Sequence, residues 1–350
     1  MCATVQGHIG GVSGVNQTAP LTGAVENKED PMMKKKLVSL VLALMLCLSC
    51  VSALAAEAWT VTCPWAPSGV AAMVNQKAAS LSTTYSQDYV LVANAEKGDT
   101  ATINSWLTKY TEADPQMCFI GEGMFGITAI LDPERMNFTY DDFEYVENLY
   151  SSIFVASARK ELGLTSIDAL KAYLEEGNQI MVGTNGATGS EAFLAAALIG
   201  AMGYGDQFYL IPYESAAEAA QAVARGEVDI AVSHQSQILE TWQQGGVDVF
   251  AAFDGEPIAQ GPFKGVEGVG QYGYPYFRNR CFIFAKAGAD EQKIADLKAL
   301  YAQILTDEEM VDWLNNTMLL EADVMTEEEV IAHIDNVKNI VEEYYDLVAE

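Results

Sequence analysis

Positive charge is in short supply in this chain: 19 Lys and Arg stand against 48 Asp and Glu, a net charge of −29 over 350 residues. A field of that sign repels phosphate backbones and anionic headgroups, so nucleic acid is excluded as a partner. Histidine is nearly missing, with three residues in all. Only His234 and His333 lie beyond residue 55, and neither has a second ligand at metal-motif spacing, so no metal is expected. Neither Gly-x-Ser-x-Gly nor a recognisable Cys/His pair occurs, and the loops hold no acid–base pair. No catalytic residue is therefore expected, and the chain is read as a non-enzyme. The dinucleotide fingerprint is lacking too: Gly183, Gly186 and Gly189 are spaced G-x-x-G-x-x-G, and Asp206 precedes the next strand instead of ending it. No cofactor is expected. Repeats and low-complexity linkers do not occur either.

What is present is apolar material and an export signal. Half of the residues are hydrophobic and 19% are charged, enough for a core and, at this length, for two domains. Lys34-Lys35-Lys36 precede the apolar run Leu37–Val51, and small residues through Ala53-Leu54-Ala55 follow. A basic region, a short apolar run and an Ala-x-Ala site are the parts of a secretory signal peptide, assigned to residues 33–55. Residues 1–32 have neither periodicity nor apolar content and are read as a non-native extension, with the start at Met32 or Met33. The expected product begins near Ala56 and is exported, to the periplasm or cell surface. Lipidation at Cys50 is the less favoured route, because Cys47 stands where such sites carry leucine. Residues 1–55 hold four basic and three acidic residues, so 15 and 45 remain and the net becomes −30. Of the six cysteines, Cys63, Cys118 and Cys281 remain, each in an apolar strand-like stretch, and are read as core thiols.

Strands and helices alternate, which predicts an α/β fold with largely parallel sheets. Strands are expected at Trp59–Cys63, Tyr89–Ala93, Met117–Ile120, Phe143–Leu149, Ile153–Ala156, Gln179–Val182, Phe208–Ile211, Val228–Ser233, Val247–Phe253 and Cys281–Ala285. Thr306…Glu309 and Thr326…Glu329 have capping-box spacing. After the second, Val330, Ile334, Val337, Val341, Tyr344 and Val348 recur at helical period and predict a packing face. With no serial linker, the expected lobes interleave: 59–156 with 257–350, and 157–256 between them, joined by two crossings at a hinge.

Two strand–loop–helix junctions are candidates for binding. One is Pro64 to Gly69; the other is Gly183 to Ser190. Each puts small residues between a strand end and a helix start, where free N–H groups and the helix dipole suit an anion. Either loop alone also fits an ordinary tight connection. His234, in Ser233-His234-Gln235-Ser236, contacts a ligand or lies flat on a loop; the sequence leaves both open.

From Met33 onward the chain resembles the extracytoplasmic substrate-binding subunits of tripartite tricarboxylate transporters. The resemblance rests on the two loops, on Ile211-Pro212-Tyr213-Glu214-Ser215-Ala216, on Ala224 to Ala231, and on Phe282 to Gly288. It implies a two-lobed, type II periplasmic-binding-protein fold that closes on a small carboxylate and hands it to membrane permease subunits. It further implies a first wall of Trp65, Ala66, Pro67, Ser68 and Gly69. The second loop would be Thr184, Asn185, Gly186, Ala187, Thr188, Gly189 and Ser190, faced by Tyr213, Ser215, Ser233 and Gln235, with His234 beside them. The chain departs from the family pattern at two polar contacts. Val70, Ala71 and Ala72 stand where an Asp is usual, and Ala192 or Phe193 where a His is usual. Arg278 and Arg280 are the nearby cations that could meet a distal carboxylate. The alternative is an exported α/β enzyme, or a sensor of the same fold, with a neutral or zwitterionic ligand.

Overall fold

The computed structural model describes residues 56–348. The signal segment, the extension before it and Cys50 lie outside these described residues. Ten strands form two five-stranded sheets. The first comprises β1 (Glu57–Cys63), β2 (Tyr89–Ala95), β3 (Gln116–Gly121), β4 (Phe143–Ser152) and β10 (Asn279–Lys286), in the order β2-β1-β3-β10-β4. The second comprises β5 (Phe154–Arg159), β6 (Ile180–Asn185), β7 (Phe208–Tyr213), β8 (Ile230–His234) and β9 (Val247–Ala252), in the order β7-β6-β8-β5-β9. Each sheet has a parallel core of three strands and one strand running antiparallel through it, β10 in the first and β5 in the second. This is a two-lobed α/β fold.

Alternation along the strands builds a core on each face. Met117, Phe119, Cys281 and Ile283 pack under α1 (Val70–Tyr85), whereas Cys118, Ile120, Phe282 and Phe284 point to the opposite side. The remaining helices are α2 (Thr100–Lys109), α3 (Ile167–Glu175), α4 (Ser190–Ala201), α5 (Ala216–Ala224), α6 (Gln235–Gln243), α7 (Glu291–Thr306) and α8 (Glu327–Glu343), besides shorter turns. Cys63, Cys118 and Cys281 are free and buried, and burial pushes the Cys63 thiol up to about 12. Such thiols stay protonated and serve as packing.

The chain first changes sheet at Ile153, between β4 and β5, with no loop between them. It returns at β10. The aromatic stretch before β10 stays with the second lobe: Ile258 and Phe263 pack with β5 and β8, and Val269 and Phe277 with the α3–α4 face. The residues from 257 to about 277 thus pack with the middle segment instead of the first lobe.

Helix α8 touches both lobes. Its Thr326 forms the expected capping box with Glu329. Val330 and Ile334 enter the first-lobe core beside Phe282 and Phe284, and Val337 and Val341 enter the second-lobe core beside Phe193 and Leu194. The helix sits hard against the turn after β3, where a Cβ on Gly126 would lie 2.5 Å from Val337 Cγ1. Only glycine permits that approach. The other expected capping box does not form. Thr306 ends α7, with its hydroxyl donating back to the carbonyls of Ala302 and Gln303, and Asp307 caps the next turn by accepting from the Met310 N–H.

Candidate functional site

The C-terminal ends of the parallel strands in the two sheets face one cavity of about 410 Å³. Ligands in open α/β sheets sit at this end of the strands. The first lobe contributes Pro64, Trp65, Ala66 and Gly69 after β1, Lys97 to Asp99 after β2, and Gly121 to Met124 after β3. The second contributes Asn185 to Glu191 after β6, Tyr213 to Ala216 after β7, and His234 and Gln237 at β8 and α6.

Backbone donors are concentrated here. Gly69 and Gly189, the N-caps of α1 and α4, offer no side chain, so neither helix start is capped by its N-cap residue, although in α4 the Glu191 carboxylate takes its own N–H. By contrast α5 is capped by Ser215, which accepts from the Glu218 N–H. The second loop is held in shape by Thr184, whose hydroxyl donates to the Gly186 carbonyl at 2.7 Å. Gly186 N–H reaches across to the Tyr213 carbonyl, with φ at +75°, a conformation that glycine adopts freely. Gly189 is extended, so its own demand is spatial: an added Cβ would lie 3.0 Å from the Asn185 carbonyl oxygen.

The side chains carry the opposite sign. Glu122, fully buried in Gly121-Glu122-Gly123, accepts from Ser190 Oγ at 3.0 Å, Asn279 Nδ2 at 2.9 Å and the Arg280 N–H at 2.8 Å. Burial raises its pKa, against those donors. Glu191, in the first turn of α4, is held up to about 7, first by burial and then by the charges of Glu122 and Asp99. Asp99 is raised by burial and held back by Arg135, 3.1 Å away. Its φ of +50° is unusual for a residue with a side chain, and such strain is tolerated where surrounding structure imposes it. His234 is neutral: burial holds it down at about 3, its Nδ1 lies 2.7 Å from Ser152 Oγ, and its ring packs 4.6 Å from that of Phe154.

Three contacts join the walls across the cavity. Ser190 meets Glu122, Arg135 Nη1 donates to Thr188 Oγ1 at 3.0 Å, and Lys97 pairs with Glu214 at 2.7 Å.

Of the residues singled out in the sequence, Trp65, Ala66, Gly69, Asn185, Gly186, Ala187, Thr188, Gly189, Ser190, Tyr213, Ser215 and His234 line this cavity. Pro67 and Ser68 are exposed on the outer side of the first loop. Thr184, Ser233 and Gln235 are buried in or beside the strand ends, behind the lining. Arg278 is taken up by Asp254 and Glu321, and Arg280 by Asp323, so neither cation faces the cavity. Sequence reasoning missed Lys97, Asp99, Glu122, Arg135, Glu191, Gln237 and Asn279. Gly121-Glu122-Gly123 had the same signature as the chosen loops, small residues directly after an apolar strand.

No family model and no curated protein matches the sequence. Solved structures do match over most of the chain. MatC from Rhodopseudomonas palustris, solved with bound malate, is 17% identical, with a TM-score of 0.69 over 83% of this chain and 98% of its own. The periplasmic binding protein BugD is 17% identical, with a TM-score of 0.71 over 84% of this chain and 98% of its own. A TctC solute-binding protein from Polaromonas is 15% identical, with a TM-score of 0.64 over 82% and 98%. The chain has the fold of the periplasmic solute-binding proteins of the TctC and BugD type.

Proposed function

We infer that this chain is an extracytoplasmic solute-binding protein that captures a small organic acid between its lobes and delivers it to the permease subunits of a tripartite tricarboxylate-type transporter. The reading rests on one observation above all: the uncapped N-termini of α1 and α4, one from each lobe, open into the same cavity. Free amides at two helix starts make a carboxylate site. The groups that hold the carboxylate are the backbone N–H groups of Val70 and Ala71 and of Ala187 to Ser190, with Tyr213 and Ser215 opposite; those of Gly69 and Gly186 are spent on the Ala66 and Tyr213 carbonyls. Binding, without chemistry, is the whole activity. The malate in MatC fits this class of ligand. Export follows from the signal segment, and N-terminal sequencing of the secreted product should find a start near Ala56.

A thermal-shift screen against di- and tricarboxylates, aromatic acids and amino acids tests the reading. A ligand at about 100 times its Kd adds about 2.7 kcal/mol of stability. A panel in which no acid moves the melt would refute it.

A further inference from the structure

A polar path crosses the cavity mouth from one candidate loop to the other. It begins in the first loop, where the Pro64 carbonyl accepts from the N–H groups of Gly98 and Asp99 at 3.2 and 2.9 Å. The Asp99 carboxylate then accepts from Arg135 Nη2 at 3.1 Å. Arg135 Nη1 donates to Thr188 Oγ1 of the second loop at 3.0 Å. The third guanidinium nitrogen, Nε, lies 3.8 Å from Asp132. Pro64, Asp99, Arg135 and Thr188 all line the cavity.

Every step on the first-lobe side of this path is fixed within that lobe. Asn104 of α2 grips the turn that carries Arg135: its Nδ2 donates to the Arg135 carbonyl at 2.9 Å, and its Oδ1 accepts from the Asn137 N–H at 3.0 Å. Asp99 keeps its φ of +50°, a strain of the kind that recurs at ligand clamps. A guanidinium is a planar fork, so setting one nitrogen on Asp99 aims the next at Thr188. The Thr188 hydroxyl has no other hydrogen-bond partner among the described residues. Only this last bond spans the gap between the lobes. The side chains of Arg135 and Asp99 are 41% and 39% exposed, and contacts at such exposure are modest in strength. A tie of that strength holds and still releases, as capture followed by delivery requires.

We propose that Arg135 is a positioning residue for capture: its fork, set by Asp99 in the first lobe, latches Thr188 in the second and holds the two binding loops together at the mouth. This rests on the two-lobed capture inferred above, and it gives Arg135 no contact with the ligand. The latch acts on how long the walls stay together. It therefore governs residence in the cavity and not the choice of ligand.

The experiment measures wall separation in the exported protein, with no ligand added, by double electron–electron resonance. Spin labels go on Val92→Cys and Tyr209→Cys, exposed positions on β2 and β7, the strands followed by the Lys97 and Glu214 that meet at the rim. Cys63, Cys118 and Cys281 are buried and stay unlabelled. A short separation should appear in the labelled parent. Arg135→Ala and Thr188→Val should each reduce its population roughly threefold or more, within the range of a half-exposed contact. Combining the two should reduce it no further, because both break one bond. Distributions that match across parent and variants overturn the proposal, as does a parent with no short separation. A loss in Arg135→Ala that Thr188→Val does not reproduce confines Arg135 to its own lobe and overturns it too. Losses that add in the combined variant do the same. Should Arg135→Ala fail to fold, Thr188→Val alone decides. Failure here leaves the carboxylate reading standing, and an acid panel without effect leaves the latch standing.

Discussion

Ser190 opens helix α4 in the second lobe, and its hydroxyl donates at 3.0 Å to Glu122, which follows β3 in the first. The bond runs directly between the lobes at the floor of the cavity. It exists only while the walls are together, so its energy belongs to closure.

Ser190→Ala should accordingly weaken ligand binding more than it weakens the fold. A hydrogen bond to a charged group contributes roughly 1.5–3 kcal/mol, which corresponds to a ten- to hundredfold rise in Kd. Calorimetry gives the Kd, and the melting temperature of the free protein provides the control. A fall in melting temperature with Kd unchanged would assign the bond to folding.

The rim pair should matter much less. Lys97 and Glu214 are 55% and 78% exposed in their side chains. Exposed pairs of this kind contribute about 0.2–1 kcal/mol and weaken with salt. Lys97→Ala is expected to raise Kd less than about fivefold, with the difference vanishing in high salt. A larger, salt-insensitive loss would mean that Lys97 touches the ligand.

Gly186→Ala isolates a backbone effect. An added Cβ there meets no atom within 4 Å, yet φ is +75°. A left-handed conformation costs a residue with a side chain about 1–2 kcal/mol. The variant should melt a few degrees lower and bind more weakly, because the loop amides shift. A Gly186→Ala protein with wild-type melting and Kd would show that the loop conformation is not required.

Titration of Glu191 should appear in the stability of the free protein. Its folded pKa of about 7 lies above the ordinary 4.5, so the folded state binds the extra proton between those values. Stability from this group is full below about pH 4.5 and is lost as pH rises to about 7, a change on the order of 3 kcal/mol. His234 and His333, both held down at about 3, act in the other direction: their contribution is full above 6.5 and is lost as pH falls. The two windows overlap, so the measurement is a difference. Subtracting the Glu191→Gln unfolding curve from the wild type should leave a loss between pH 4.5 and 7, and a flat difference would contradict the burial described for Glu191.

The fold was legible because every strand is apolar on both faces or alternates, and each of the ten expected strands overlaps an observed one. Helix α6 was not, because among its nine residues only Gln235 and Ile238 are buried, too few to form a periodic apolar stripe. Capping was half legible: Thr326 behaves as its spacing suggests, but at 306–309 the neighbouring Asp307 competes and wins. In the site, the small-residue loops were visible, since glycine and serine after a strand are a local pattern. The acidic floor was not. Asn279 reaches Glu122 across 157 positions of sequence, and Glu191 alone reads as an ordinary first-turn acid. Arg278 and Arg280 looked available because their acidic partners lie elsewhere in the chain.

Helix α8 has a mechanical consequence. Val330 and Val341, anchored in different cores, are about 16 Å apart along one rod. A helix held in both cores ties them together: if the walls part, it must bend, turn in its seats or give up one of its two sets of contacts. Parting the walls would then expose apolar side chains of α8 at one end, which favours the arrangement in which both cores hold the helix.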